Sequence, residues 1–274
     1  MATINAAECF NLSDRGAIAP GRKADFVLFS TLDENLKIEE VFTGGKLVAV
    51  NKKYLAKTEH VNPETVIGKM NIKDCSAKRF ELKLKSNHVR QMKIIPGSVV
   101  TDADEGYVEL SEDGVWHRND DDVVKVSVVE RHHGTGNIGT ALIKGFVIKG
   151  GAVATCVAHD SHNVIVAGDN DYDMEIAVKE LIKLGGGMAV VKNGKVIESV
   201  QHEIAGLMTD LPGEEVAEKL TSIQNTARKE LGIHDDIDPF MTLCFMSLPV
   251  IPTYKVTDLG LFDVSSFRFV PIEL

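Results

Sequence analysis

Short runs of β-branched and small apolar residues, punctuated by glycines and interrupted by one amphipathic helix, fill residues 122–200 and constrain the fold more than any other feature. "DVVKVSVVER" (122–131) alternates apolar with polar residues, as a half-buried strand does. "GFVIKGGAVATCVAHDSHNVIVAG" adds three apolar runs, separated by Gly150-Gly151 and by a polar insert. From Asp171, the residues Met174, Ala177, Val178 and Leu181 recur at helical spacing and form one apolar stripe. Asn170 or Asp171 can cap the free N–H groups of that helix, Asp173 and Glu175 suit its positive end, and Gly185-Gly186-Gly187 ends it. In "MAVVKNGKVIESV" (188–200), Asn193-Gly194 between two β-branched runs is the strongest hairpin signal in the chain. The pattern predicts an α+β domain with a largely antiparallel sheet and flanking helices.

The flanking sequence extends this picture. "ADFVLFS" (24–30) and "KIEEVFTGGKLVAV" (37–50) read as strands, the second folding at Thr43-Gly44-Gly45-Lys46. Pro20-Gly21 marks a turn before them, after which Asp25 is expected to bond local backbone. Residues 51–78 hold little periodicity and are taken as the boundary, giving a small β unit over 1–70 and the α+β domain over 75–274. Within the latter, "FELKLK" reads as a half-buried strand and "YVELSEDGVWH" as a hairpin turning at Asp113-Gly114. Trp116 reads as a packing anchor, and Met174, Met188, Met208, Met241 and Met246 as core. "ERHH" at 130–133 reads as a solvated strand edge. After Pro212, Val216, Leu220, Ile223 and Ala227 share a helical face that stops near Gly232. The tail is an apolar helix or buried segment broken by Pro249 and Pro252, then strands.

Composition excludes several classes of function. The 274 residues carry 40 acidic against 30 basic side chains, a formal charge of −10, which disfavours nucleic-acid binding. No run of about 18 apolar residues and no basic-then-apolar leader is present, so neither membrane spanning nor secretion is expected. Cys9, Cys75, Cys156 and Cys244 are scattered and read as reduced, buried thiols of a cytoplasmic protein.

"HHGTGNIG" contains Gly134-x-Gly136-x-x-Gly139 after a strand, with Asp160 about twenty residues on, and imitates a dinucleotide fingerprint. A pyrophosphate there needs the N-terminus of a full crossover helix, and only Thr140 to Lys144 separate the pattern from Gly145. A glycine turn into a short helical turn is the better reading.

The polar insert in "CVAHDSHNVIVAGDND" (156–171) concentrates titratable groups between two apolar runs. His159, Asp160 and His162 are residue types of a metal site or an acid–base relay, with Ser161 and Asn163 as substrate-binding candidates. As metal ligands the two histidines supply two nitrogens where a zinc site wants at least three protein ligands, and on a strand they would point to opposite faces. His132 and His133 are conceivable additions from a neighbouring strand. A Ser-His-Asp relay from adjacent residues rarely converges in space. The alternative is a tight polar turn in which Asp160, Ser161 and Asn163 bond nearby backbone.

Two stretches carry a family resemblance. "INAAECFNL", "RGAIAPGRKADFVLF" and "VFTGGKLV" resemble the segment closing the amidohydrolase fold, where the last barrel helix runs into a small β-sandwich. "GAVATCVAHDSHNVIVAGDNDYDMEIAVKELIKLGGGMAVVKNGKV", with "IAGLMTDLP" and "DPFMTLCFMSLPVIPTYKVTDLGLFDV", closely resembles the C-terminal domain of bacterial and archaeal adenine deaminase. That resemblance implies conversion of adenine and water to hypoxanthine and ammonia in a complete enzyme. It implies a divalent metal (manganese, iron or zinc) held in an amidohydrolase barrel, where the ion lowers the pKa of a bound water. In the superfamily the ligand set opens with a His-x-His pair, and no two of the nine histidines here are separated by one residue. The zinc nucleobase-deaminase signature is absent too. The resemblance therefore implies the C-terminal half of an adenine deaminase, with no metal or other cofactor in this chain and no activity alone. Its partners would be the missing barrel, adenine in the complete enzyme, and further copies of itself. A non-catalytic binding or assembly module, or a half-enzyme completed in trans, are the alternatives. On the leading reading "HDSHN" lies at the rim facing the barrel, positioning substrate or shuttling protons.

Overall fold

The computed structural model describes every residue except Met1, Ala2, Glu34, Asn35, Thr58, His60 and Asp121, so one histidine of the nine lies outside the described residues. By packing, the chain divides into Met1–Asn62 and Pro63–Leu274. Residues 63–70, expected to close the first unit, are bonded into the second, where Gly68 N donates to Glu203 O at 3.3 Å.

The first unit holds a short helix, α1 (Ile4–Cys9), and four strands: β1 (Phe26–Thr31), β2 (Lys37–Thr43), β3 (Lys46–Val50) and β4 (Lys53–Tyr54). They form one antiparallel sheet in chain order, turning at Gly44-Gly45 as the sequence indicates. Among the described residues this is a single layer, not the sandwich expected. Asp25 does not serve its own turn; its Oδ1 accepts from Gly44 N at 2.7 Å and fastens the β2–β3 hairpin. Ala7 is the only hydrophobic residue of this unit that is buried, among those described.

The second unit is α+β. Its strands are β5 (His88–Ile94), β6 (Thr101–Tyr107), β7 (Glu109–Leu110), β8 (Trp116–His117), β9 (Val123–Val129), β10 (Ile138–Lys144), β11 (Gly151–Thr155) and β12 (Val164–Gly168). After the helix α2 (Asp171–Leu184) come β13 (Gly187–Lys192), β14 (Lys195–Gln201), the helices α3 (Gly213–Leu231) and α4 (Pro239–Met246), and β15 (Tyr254–Thr257), β16 (Gly260–Asp263) and β17 (Arg268–Phe269). Eight strands form one sheet in the order β14-β13-β11-β12-β9-β10-β5-β6, antiparallel except for β10 against β5. β10 meets β5 only at Met92 and Lys93. Beside the start of β5 run residues 272–274: Arg90 N donates to Ile272 O at 2.7 Å and Leu274 N to His88 O at 3.0 Å.

Helices cover both faces of this sheet. Met174, Ala177, Val178 and Leu181 of α2 pack on Ala152, Ala154, Val164, Val166, Ala189 and Val191. On the other face Ile223, Ala227 and Leu231 of α3 and Phe240, Leu243 and Met246 of α4 pack on Val153, Ile165, Ala167 and Val190. The helix ends follow local chemistry. Asn170 caps α2 by accepting from Asp173 N at 2.8 Å, and Gly185 closes it in the left-handed conformation.

Against the half-buried reading, β9 is buried at every position, with β15 packed against it. Its polar residues are satisfied inside: Ser127 Oγ lies 2.8 Å from Thr140 Oγ1, and Lys125 Nζ bonds Phe80 O at 3.1 Å and the Asp171 carboxylate. Residues 80–85 form no strand; a 3₁₀ turn over Ala77–Phe80 and a lone bridge from Lys83 to Val115 stand there. Nor does a helical turn follow Gly139, since 138–144 is β10. A Cβ on Gly139 would stand 2.0 Å from Thr257 O, so the turn from β15 to β16 fills the space a phosphate would need. Met174 and Met246 are core, whereas Met208 and Met241 are more than half exposed. All four cysteines are free; Cys9 is exposed, against expectation, and the others are buried.

Candidate functional site

The connection from β11 to β12 is the polar insert, and it folds as a tight turn. His162 N donates to Ala158 O at 2.7 Å, and His162 takes a left-handed φ of 51°. That reversal brings the rings of His159 and His162 to 5.9 Å, which a strand would not. The end of α4 holds the turn from below. His159 N donates to Cys244 O at 2.9 Å, Ser247 Oγ donates to His159 O at 3.0 Å, and the His159 ring lies 5.0 Å from Phe245.

The five candidates are not equivalent. Asp160 is strongly exposed, its carboxylate 3.9 Å from His159 Nδ1. Ser161 is exposed; its Oγ accepts from Asn163 N at 3.4 Å and its carbonyl meets His132 Nε2 at 2.8 Å. Asn163 is buried and turned inward, its Oδ1 accepting from Arg131 N at 3.3 Å. His162 keeps a buried Nδ1 with no hydrogen-bond partner among the described residues. Burial, reinforced by the charges of His159 and Arg131, holds its pKa below the ordinary histidine value and so keeps the ring neutral at pH 7.

These positions decide which chemistries can be assembled. With His162 Nδ1 unpartnered and Asp160 turned to solvent, no carboxylate orients the imidazole, and a Ser-His-Asp relay is not formed. His132 does approach the insert, but through the Ser161 carbonyl. Among the described residues no three His, Cys, Asp or Glu side chains converge to hold a metal ion, so the turn does not fit one.

The sequence reading missed the residues that build the site from behind. Glu130 and Arg131 are 5% and 3% exposed, not a solvated edge. Burial alone would raise the Glu130 carboxyl, but the N–H groups of Thr135, His133 and His132 outweigh it and hold the group at about 2. Arg131 donates through Nε to His162 O and through one terminal nitrogen to Ala205 O at 2.9 Å. Its other terminal nitrogen faces Lys69 O at 3.4 Å and Met70 Sδ at 3.6 Å. No local pattern announces this, because its partners stand 31 to 74 residues away.

Comparison with known proteins matches residues 98–268 to the adenine deaminase C-terminal domain and residues 1–48 to the amidohydrolase family. A protein of Desulfotalea psychrophila named adenine deaminase 2 is 48% identical over 274 residues, covering 100% of this chain and 47% of its own length. Adenine deaminases of Ligilactobacillus salivarius and Nitratidesulfovibrio vulgaris are 44% and 46% identical, covering 100% and 99% of this chain and 47% of their own lengths. The chain thus spans about half the length of the curated relatives it matches.

Proposed function

The chain belongs to the adenine deaminase C-terminal domain family, and on that premise we propose that it serves as the C-terminal half of an enzyme converting adenine and water to hypoxanthine and ammonia. The observation that carries this is the match of the entire chain to adenine deaminases at 48% identity. The substrate would be bound, and the divalent metal (manganese, iron or zinc) held, by an amidohydrolase barrel that these residues do not form. The uncovered first unit supports such a partner. Phe10, Ile18, Val27 and Phe29 border a hollow of about 610 Å³ and are all exposed, Ile18 at 90%. The same apolar surface also supports self-association, and the four free thiols support a cytoplasmic setting.

In this reading the turn over residues 158–163 faces the substrate side. His159, half-exposed, and neutral His162 exchange or position protons, exposed Ser161 offers a hydroxyl, Asp160 fixes the tautomer of His159, and Asn163 braces the turn from within. Adenine turnover in the presence of Mn²⁺ tests both levels. This chain alone is expected to be inactive, and a complete enzyme carrying it active. In the complete enzyme, His159→Ala and His162→Ala each lower kcat by about 10²-fold if the turn moves protons. Wild-type rates in both variants retire the role given to the turn. Turnover by the isolated chain overturns the half-enzyme reading.

The alternative is an assembly module without chemistry, favoured by the same exposed apolar face. It predicts that mixing this chain with a separately produced barrel gives a stable complex and no adenine turnover.

A further inference from the structure

Three loops meet at one end of the eight-stranded sheet: residues 66–70, the turn 158–163 and the turn 204–208. The first and third are bonded to each other, Ala205 N donating to Val66 O at 2.9 Å beside a bridge from Ile67 to Ile204. Between them and the turn that carries His159 and His162 stands the Arg131 guanidinium, with one acceptor oxygen from each loop: Lys69 O, His162 O and Ala205 O. Among the described residues it has no carboxylate partner, although it is buried. An unpaired buried cation is an expensive way to fill space, and an apolar side chain of similar volume would pack there at lower cost. What the guanidinium adds is a rigid planar fork that fixes three acceptors relative to one another.

The surroundings are shaped for it. Gly206 has φ +76°, and a Cβ there would stand 2.9 Å from a terminal nitrogen of Arg131 and 3.1 Å from its central carbon. The backbone of 205–206 lies against the guanidinium because that position has no side chain. Beneath, a Cβ on Gly186 would come within 2.2 Å of Gly206 Cα, so the glycines ending α2 also admit this loop. Arg131 closes from its backbone as well: its N–H donates to Asn163 Oδ1, and its carbonyl accepts from Asn71 N at 2.8 Å.

The geometry points to Arg131 as the positioning residue of this rim, a clamp that joins the three loops and thereby fixes where His159 and His162 stand. The clamp rests on contacts alone; that it serves adenine turnover rests on the function proposed above. Hydrogen exchange of the 274-residue chain tests it with Arg131→Met, which keeps the packing, and Arg131→Lys, which keeps the charge. In both, amides of 66–71, 158–163 and 202–208 exchange faster together, by about tenfold or more, while β9 to β12 keep wild-type protection. If either variant retains full protection in all three loops, or if only one loop loosens, the clamp is disproved. Gly206→Ala covers the case in which loss of Arg131 prevents folding. Its Cβ displaces the guanidinium with Arg131 still present, and the same three segments must respond; unaltered exchange there also overturns the proposal. The His162 imidazole titration is a readout that weakened packing elsewhere would leave in place. It moves up toward the ordinary value in Arg131→Met and stays depressed in Ile165→Ala. Adenine turnover of the complete enzyme is read on the same variants. Normal turnover with the loops released removes the catalytic role of the turn and leaves the clamp standing.

Discussion

The two units are both built on largely antiparallel sheets with well-formed turns, yet among the described residues only the second has an extended buried core. In the first, β1 carries Val27, Leu28 and Phe29 in succession, and all three are more than 40% exposed. In the second, every residue of β9, β11 and β12 is buried: α2 covers one face of β11 and β12 and α3 with α4 the other, while β15 packs on β9. Hydrogen-bonded register is therefore common to both, and the second layer is what separates them. An isolated small sheet is marginal in water, and burial is the larger share of stability.

Three substitutions sharpen or break this contrast. The largest effect is expected at Ile165, fully buried in β12: Ile165→Ala should cost about 2–5 kcal/mol in denaturant unfolding. A cost below about 1 kcal/mol would mean that the two-sided core yields as readily as a surface. Next is Lys255, fully buried in β15 with Val99 O at 3.1 Å and Thr101 Oγ1 at 3.5 Å as its acceptors among the described residues. Burial pushes its pKa down to about 8 from 10.5. Below pH 8 both folded and unfolded chains hold the proton and the penalty is constant. Between about 8 and 10.5 the folded chain releases it first, so stability climbs as pH rises. Lys255→Met should stabilise by about 1–3 kcal/mol at pH 7 and reduce that climb, part of which remains because burial also brings Lys125 to about 8. Urea titrations at pH 7 and pH 10 decide it; an undiminished climb would place the penalty elsewhere. Smallest is Phe29→Ala in β1, which should change stability by less than about 0.5 kcal/mol. A loss comparable to that at Ile165 would show the ring to be covered, and the contrast between the units would fail.

The same difference explains what could be read in advance. The limits of α2 and α3 and the Asn193-Gly194 hairpin were legible because caps and turns are decided by neighbours in sequence: Asn170, Gly185, Gly232 and the Asn-Gly pair. The burial of β9 was not, since Lys125 and Ser127 imitate the polar half of a surface strand, and their partners Phe80, Asp171 and Thr140 lie 13 to 46 residues away. For the candidate site the chain disclosed the turn itself, His159 to Asn163, as a cluster of polar residue types. It hid the supporting half. "ERHH" looks like a solvated end until the loops around it are in place and Glu130 and Arg131 prove buried. A near-continuous apolar strand running into charged residues is the one signal that could have raised the question.

Residues 272–274 share an edge of β5 with β10, alongside Arg90 and His88. A strand near residue 90 thus waits for partners some fifty and then some 180 positions later. The first residues of β5 therefore gain their partner on this edge only once residues 272–274 are in place. Trimming the last few residues would leave that edge of β5 unpaired beside His88, at the far side of the sheet from His159 and His162.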